Sequence, residues 1–439
     1  MIAQPAIAVA PADFGVSTAR CPRVTTSDYP VISATPRKAL RGVLRGAFPC
    51  AAASVLLLIG FCPPVATAAD SACGQELSRS AAAAEKAVSF RSSEDGWLDA
   101  SEFLDQTYGF LPVVVPITEP AVGYGAFGAL AFIDRPAAKA EDGFGRPNIT
   151  LVGGLLTEND TRGAMAGDLR HWMGDRLQTL AGVFRASINL DFYGIGRDDS
   201  LNSNPLAYNL ETSGAGIRAK YRLVDSRFWA GLGYAYATTE VSFDGPLSAP
   251  GLRAYRQESS VGGMVPSISY DSRDNLFTPG RGTYADASVG LFSHTLGGDD
   301  EFQRVSLTAI HYVPLGQKLH FGVCGGAVLS FGDVPFYLRP FVQLRGAPIM
   351  RYQGDETAQA EAELRWQFWQ RLSLVGFAGA GAAWNDRERF DNATTLVTGG
   401  AGFRYELARK HGLHVGLDAA VGPAGPAVYV QFGSAWIRP

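Results

Sequence analysis

The chain has 439 residues, of which 46% are apolar and 18% are charged, and its formal net charge is −4. This balance contains no excess of basic residues, so we expect no nucleic-acid partner. Composition still allows several globular classes, and only the order of the residues separates them.

Residues 1–68 are ordered like a secretory leader. Basic residues between positions 38 and 45 precede an apolar run from Ala51 to Phe61, which small residues follow. The run is too short for a spanning helix, so we expect a cleaved signal peptide. The region before the basic residues is unusually long, which indicates a true start downstream of Met1. Lipid attachment at Cys62 is an alternative that the bulky residue before it disfavours.

Residues 69–118 are expected to form a short, partly helical N-terminal segment. The stretch from Glu76 to Val88 is rich in alanine and predicts a helix, and Ser92 or Ser93 is placed to cap a second short one. The residues that follow it are predicted below to form an outer-membrane barrel. We expect the segment to plug the lumen of that barrel, to lie along its periplasmic rim, or to dock a separate partner. Burial of its apolar side chains against that domain is the simplest of these arrangements.

Residues 119–439 alternate between polar and apolar side chains in many short stretches separated by turn residues. From Thr357 to Trp369 the odd positions are almost all polar, with Glu361 and Glu363 among them, while the even positions are apolar. A period of two residues predicts a strand. About sixteen strands are predicted in this way, at 121–133, 147–157, 160–172, 177–193, 206–222, 226–243, 259–272, 282–294, 301–314, 318–331, 336–344, 357–370, 372–384, 394–408, 412–422 and 426–436.

The fold class predicted from this pattern is all-β, a transmembrane antiparallel β-barrel with a lipid-facing outer surface and a wet lumen. In the strand 177–193, the alternation places Arg185 and Asp191 toward the lumen. A soluble two-sheet sandwich would alternate as well, but the leader, the number of strands and the last strand favour the barrel. That strand is predicted to carry the assembly signal of outer-membrane barrels on one face, formed by Val428, Val430, Phe432 and Trp436.

Two segments add detail to the barrel. Tyr270 to Tyr284 reads YDSRDNLFTPGRGTY and by itself predicts a hairpin turn, in which we single out Asp271, Arg273, Asp274, Pro279, Arg281 and Gly282. The second segment leads into the strand that starts at Thr357 and consists of Leu344, Arg345, Gly346 and Ala347.

With both motifs in this order, the chain from Phe110 onward resembles the barrel domain of the bacterial surface antigen family, the outer-membrane assembly factors that include BamA and TamA. The resemblance implies a loop that folds back into the lumen, where Arg345 contacts acids on the inner faces of strands. Glu363 matches the acid, and Glu361 is its neighbour on the same face. A guanidinium binds a carboxylate bidentately, so an exchange of the charges at Arg345 and Glu363 is expected to restore part of the stability that either single change removes. Separate, solvated lumen charges are the alternative.

Three departures from the family pattern lead to further expectations. Gly379 lies near the position of a second acid, so that contact is expected to be missing or to come from Glu361 or Asp418. Ala347 replaces a common aromatic residue, and both changes predict a loosely anchored loop. Residues 69–110 are too few for even one of the periplasmic transport-associated domains that barrel-inserting members carry.

The resemblance implies that the chain helps to insert or translocate proteins or lipids at a seam between a first strand, 121–133, and a last strand, 426–436. The expected partners are outer-membrane lipid and either nascent outer-membrane proteins or a separate periplasmic protein. A passive or gated channel is one alternative, with ion preference set by lumen charges: Arg185, Asp191, Glu361 and Glu363. A structural or adhesive surface protein is another.

We expect no enzyme, no cofactor and no metal. The six histidines lack ligand spacing, and the sequence has no Gly-x-Ser-x-Gly nucleophile elbow.

Overall fold

The computed structural model describes residues 90–105, 110–134, 148–194, 201, 205–223, 226–243, 256–385 and 390–437. The chain divides into two compact units, Met1–Ala83 and Ala84–Pro439, and every described residue belongs to the second. The expected leader and the helix predicted from Glu76 to Val88 lie outside the described residues. Within these ranges no helix is long and apolar enough to cross a membrane.

Sixteen strands form one antiparallel sheet in which each strand pairs with its neighbours in sequence. The predicted all-β barrel of about sixteen strands is therefore confirmed. Within the described part of the chain a short helix, α1 (Ser101–Asp105), precedes the strands. The strands are β1 (Phe110–Glu119), β2 (Gly123–Asp134), β3 (Asn148–Thr157), β4 (Arg162–Trp172), β5 (Leu177–Phe192), β6 (Leu206–Arg222), β7 (Phe228–Phe243), β8 (Arg256–Asp271), β9 (Gly282–Phe292), β10 (Phe302–Pro314), β11 (Leu319–Gly332), β12 (Glu356–Trp369), β13 (Leu372–Trp384), β14 (Thr394–Ala408), β15 (Leu413–Gly422) and β16 (Gly425–Phe432). Single 3-10 turns lie at His294–Leu296, Phe336–Leu338, Phe390–Asn392 and Arg409–His411.

One observed strand was not predicted and one predicted strand is absent, so the total of sixteen agrees. The barrel begins with β1, which was predicted to belong to the N-terminal segment. β1 contains Pro112 and Pro116, and proline is rare inside strands, so its sequence is not typical of one. The strand predicted at 336–344 is wrong, because Phe336–Leu338 is a 3-10 turn and the residues after it form no strand of the sheet. Its apolar residues are buried inside the barrel without joining the wall.

The outer face of the barrel is apolar. On β7 and β8, Leu232 and Ile268 are each 50% exposed, and Leu374 on β13 is 45% exposed. Large apolar side chains exposed around a whole barrel match a surface that contacts lipid. The inner faces of β12, β14 and β15 carry the buried charges described below.

One prediction about the lumen is wrong. On β5, Ile188 and Phe192 pack in a cluster with Phe336 of the chain inside the barrel, so the even positions of this strand face inward. Arg185 and Asp191 occupy odd positions and therefore face outward. The alternation of β5 did not reveal this, because its inner face is the more apolar one.

Residues 90–105, called the rim segment here, pack on the turns that follow β12 and β14. The backbone N–H of Ala100 donates to the carbonyl of Leu407 at 2.8 Å, and the Trp97 ring stacks 6.2 Å from that of Tyr405. The helix expected after Ser92 or Ser93 is wrong, because this part of the chain forms turns and α1 starts only at Ser101.

Candidate functional site

The chain between β11 and β12, residues 333–355, folds into the lumen and is called the inner loop here. Its side chains Tyr337 and Met350 pack against Leu190 and Tyr208 on the inner face of β5 and β6. Its residue Val342 is fully buried. The apolar sequence that predicted a strand instead fills part of the barrel.

Arg345 of the inner loop binds three carboxylates. Its Nε and Nη2 donate to Oε1 of Glu361 at 3.1 and 2.7 Å, and its Nη1 lies 2.8 Å from both Glu363 and Asp418. Burial alone would lower the pKa of Arg345, but the carboxylates of Glu363 and Glu361 raise it above its usual value. The guanidinium therefore stays charged and ties the loop to both β12 and β15.

Further residues complete this cluster. Asp418 is fully buried and also accepts a bond from Nη2 of Arg404 at 2.8 Å. The Arg345 guanidinium carbon lies 3.7 Å from the ring centroid of Phe377, a cation–π geometry. We call these six residues the inner cluster: Arg345, Glu361, Glu363, Phe377, Arg404 and Asp418. Sequence reasoning placed Asp418 among the alternatives but missed Arg404 and Phe377, since neither lies in a recognisable motif.

The inner loop is anchored closely, contrary to the expectation of a loose one. Gly346 has a φ of +94°, and an added Cβ would approach the Val421 backbone to 3.2 Å. At Gly379 a Cβ would meet Leu344 at 3.0 Å, so the glycine that replaces the expected acid provides room for the loop. Leu344 and Ala347 are both buried, and no aromatic side chain is needed at Ala347.

The inner loop also contacts both ends of the strand order. The backbone N–H of Ile349 donates to Oε1 of Glu119 at the end of β1, at 3.0 Å. The backbone N–H of Gly346 donates to the hydroxyl of Tyr429 on β16, also at 3.0 Å. The loop therefore bridges the first and the last strand from inside the barrel.

The second motif forms the turn between β8 and β9. Asp274 Oδ1 accepts the backbone N–H of Gly280 at 3.0 Å and that of Arg281 at 3.3 Å, which closes the turn. Arg273 binds Asp271 at 2.9 Å. Gly282, with a φ of +104°, leads into β9, and an added Cβ would clash with the carbonyl oxygen of Ser272.

This turn reaches across the barrel end to the chain that follows β16. The backbone N–H of Ser434 donates to the carbonyl of Phe277 at 2.6 Å, and Pro279 is fully buried. Trp436, two residues further on, donates from Nε1 to Oε1 of Glu361 at 2.7 Å. The turn motif and the inner cluster are thus connected through the C-terminal residues.

The position of Trp436 corrects one prediction. β16 ends at Phe432, and Trp436 is 7% exposed inside the barrel, so it does not share the outer face of the last strand. Val428 and Phe432 do lie on that face, with 48% and 37% of their surface exposed, and the register places Val430 between them. The alternation of the sequence continued past Phe432, although the strand did not.

Consecutive strands are joined by ladders, of which the one between β8 and β9 is interrupted at Val265 and Pro266. Among the described residues no ladder joins β16 back to β1. The two strands lie side by side, and the Thr118 hydroxyl donates to the carbonyl of Val428. We call this junction the seam. It lies between β1 and β16, so the prediction that named residues 121–133 as the first strand is wrong by one strand.

The Omp85 superfamily domain matches residues 144–424, which is more than half of the chain. The chain belongs to the Omp85 superfamily. This membership confirms the resemblance to the outer-membrane assembly factors and implies the outer membrane of a Gram-negative bacterium. No curated protein sequence gives a significant match.

Solved structures share the fold of this Omp85 barrel at low sequence identity. The crystal structure of BamA from Haemophilus ducreyi lacking POTRA domains 1-3 is 15% identical, with a TM-score of 0.50, over 79% of this chain and 80% of that one. CdiB from Acinetobacter baumannii is 9% identical, with a TM-score of 0.50, over 75% of this chain and 60% of that one. At these identities the likeness concerns the fold alone.

Proposed function

We propose that this Omp85 barrel assists the insertion or translocation of proteins at the outer membrane, and that the seam is the place where it acts. The observation that carries the proposal is that every pair of consecutive strands is joined by a ladder, whereas among the described residues no ladder joins β1 and β16. An unpaired strand edge recruits other strands. In lipid this tendency is stronger, because water cannot satisfy the free backbone groups.

The inner loop supports a seam that opens under control. Through Glu119 and Tyr429 it contacts the strands on both sides of the seam, while Arg345 fixes it to the wall. Movement of the loop would therefore change the contacts of both seam strands together. The family fold supplies the barrel, and this chain's own contacts connect its lumen to its seam.

The contacts disfavour the passive channel. Arg185 and Asp191 face outward, so they cannot set ion preference in the lumen. Glu361 and Glu363 are paired with Arg345 and are largely buried. All four lumen charges on which that hypothesis depended are thus on the wrong face or already neutralised.

The proposed partners are outer-membrane lipid around the barrel and unfolded outer-membrane proteins at the seam, with a periplasmic protein as a further partner of the rim segment. We propose export by a cleaved leader within residues 1–68. The proposal involves no catalytic residue, cofactor or metal, and within the described ranges no group of three or more His, Cys, Asp or Glu could hold a metal ion.

The test measures two outputs on the same liposomes containing the purified protein. One is the rate at which an unrelated outer-membrane barrel folds into the liposomes, and the other is ion conductance. The proposal predicts a higher folding rate than in empty liposomes. Steady conductance with no change in the folding rate would overturn it in favour of a channel.

A further inference from the structure

The direction of the backbone groups at the seam follows from contacts at the strand ends. In a strand, the N–H and C=O of one residue point to the same edge, and successive residues alternate between the two edges. The N–H of Gly433 donates to the carbonyl of His414 at 2.6 Å, so odd residues in β16 point toward β15. Even residues of β16 therefore point toward the seam, in agreement with the carbonyl of Val428 that accepts from Thr118.

The same reasoning applies to β1. The carbonyl of Tyr124 accepts the N–H of Glu158 at 2.8 Å, so even residues of β2 point toward β3 and odd residues toward β1. The register pairs odd residues with odd residues, as in Glu119 with Gly123. Even residues of β1 therefore point away from β2 and toward the seam.

All three prolines in the two seam strands occupy seam-facing positions. They are Pro112 and Pro116 in β1 and Pro426 in β16. Proline has no N–H, so each removes one donor from the edge, and its ring occupies the space that a donor would need. The seam therefore lacks donors that a closed ladder would use.

The two edges are not equally affected. Along β1, a donor at Val114 lies between Pro112 and Pro116, so no two successive seam-facing positions have an N–H there. Along β16, by contrast, Val428, Val430 and Phe432 provide successive donors, and Pro426 lies at the start of the strand. Only the β16 edge offers an uninterrupted run for a partner strand.

We propose that β16, and not β1, is the edge that accepts an incoming strand of an unfolded outer-membrane protein. The strand pairs with Val428 to Phe432 and takes the place beside β16 that β1 occupies in the structure. On β1 the same strand would leave carbonyls opposite Pro112 and Pro116 without donors, which is costly in lipid. This inference rests on the proposed function, which identifies the incoming strand as part of an unfolded outer-membrane protein.

The test uses matched valine-to-proline changes at the two edges. Val430→Pro removes a donor from β16 and Val114→Pro removes one from β1, and both side chains lie on the outer face of the barrel. The probe is a synthetic peptide with the sequence of residues 427–432, AVYVQF, carrying a photoreactive phenylalanine at its last position. Crosslinks to the purified protein in nanodiscs are located by mass spectrometry. A difference in gel migration between heated and unheated samples shows that each variant is folded.

We expect the peptide to label β16. Val430→Pro should lower the crosslink yield about tenfold, because it removes one hydrogen bond and adds a steric clash. Val114→Pro should change the crosslink yield less than about twofold. Labelling of β1, an equal loss in both variants, or no labelling at either edge would overturn the proposal.

A second variant decides the question if Val430→Pro does not fold. The double change Pro112→Val and Pro116→Val restores donors to β1, so β1 should close on β16 and labelling of β16 should fall. Labelling of β16 that stays unchanged in this variant would contradict the proposal. The proposed function is read separately: peptide bound to β16 without faster substrate folding overturns the function alone, whereas faster folding with labelling of β1 overturns the choice of edge alone.

Discussion

Two buried arginines attach two segments to this barrel with the charges arranged in opposite ways. In the inner cluster the loop provides the arginine, Arg345, and the strands β12 and β15 provide the acids. At the rim the barrel provides Arg371, in the turn after β12, and the rim segment provides Asp95 and Asp99 at 2.7 and 2.8 Å.

The two sites differ in what they connect. Glu361 and Asp418 lie on strands that are separated by two others, so Arg345 links distant parts of the wall. Asp95 and Asp99 belong to one turn of chain, and Arg371 also donates to the carbonyl of Leu98 between them at 3.2 Å. Loss of the inner site should therefore affect the whole barrel, whereas loss of the rim site should release one segment only.

The largest effect is expected from Arg345→Ala. It leaves Glu361, Glu363 and Asp418 buried, with Arg404 still paired to Asp418. Removal of one member of a buried ion pair costs about 3–5 kcal/mol. The urea midpoint of the folded barrel, read from its migration in gels, should fall clearly. Arg185→Ala, on the outward face, is the matched control and should leave the midpoint almost unchanged.

The structure also revises the charge-exchange experiment that the sequence suggested. Placing a carboxylate at position 345 and a guanidinium at position 363 would bring the new acid against Glu361 and Asp418. We therefore expect the exchanged double variant to be no more stable than Arg345→Ala. Recovery close to the parent midpoint would show that Glu363 alone is the relevant partner.

A smaller and more local effect is expected from Arg371→Ala. The change removes the charged bonds to Asp95 and Asp99, worth roughly 1.5–3 kcal/mol each at most, so the rim segment should become sensitive to limited proteolysis while the urea midpoint of the barrel is retained. Arg409→Ala is the comparison variant, since Arg409 contacts Glu94 and Asp95 but its side chain is 37% exposed. It should increase cleavage less than Arg371→Ala does.

The rim contact also predicts a pH dependence. The hydrogen bond from Arg371 lowers the pKa of Asp95 to about 2. A lowered carboxyl pKa stabilises docking fully above the ordinary value, near 3.9, and this contribution is lost as the pH falls toward about 2. The fluorescence of Trp97, taken as the difference from Trp97→Phe, should be constant from pH 8 to 5 and change only below about pH 4. A transition centred near pH 6 would contradict this assignment.

The smallest effect is expected from Tyr429→Phe. It removes one neutral hydrogen bond, from the Gly346 N–H, and should lower stability by about 1 kcal/mol. Because Tyr429 lies on β16, the change should also loosen the connection between the inner loop and the seam. The matched control is Tyr405→Phe at the rim, which also removes one tyrosine hydroxyl bond, to the carbonyl of Leu98, but does not touch the inner loop.

Much of the wall could be predicted from its alternation, and the failures have physical causes. The inner and outer faces of β12 are chemically distinct, so its sequence revealed both the strand and the direction of Glu361 and Glu363. β5 has an inner face that is apolar because the inner loop covers it, so the same reasoning placed Arg185 on the wrong side. Alternation identifies two faces, but it does not say what covers each of them.

The candidate site was predicted where a local motif marked it and missed where the contacts come from distant strands. The Leu-Arg-Gly motif directed attention to Arg345, and its position before β12 directed it to Glu363. No local signal connects Arg371 with Asp95 or Asp99, because Arg371 lies more than 270 residues from each of them in sequence. The apparent gap at Gly379 was filled by Leu344, a packing relation that sequence spacing does not contain.

The most direct test of the seam compares two disulfides in a background that carries Cys73→Ser and Cys324→Ser. One joins Thr118→Cys to Val428→Cys across the seam, and the other joins Val289→Cys to Val305→Cys, which face each other in the ladder between β9 and β10. We expect oxidation of the seam pair to abolish the acceleration of substrate folding and reduction to restore it. The ladder pair should have no effect. Acceleration that survives the oxidised seam pair would contradict the claim that the seam is where this barrel acts.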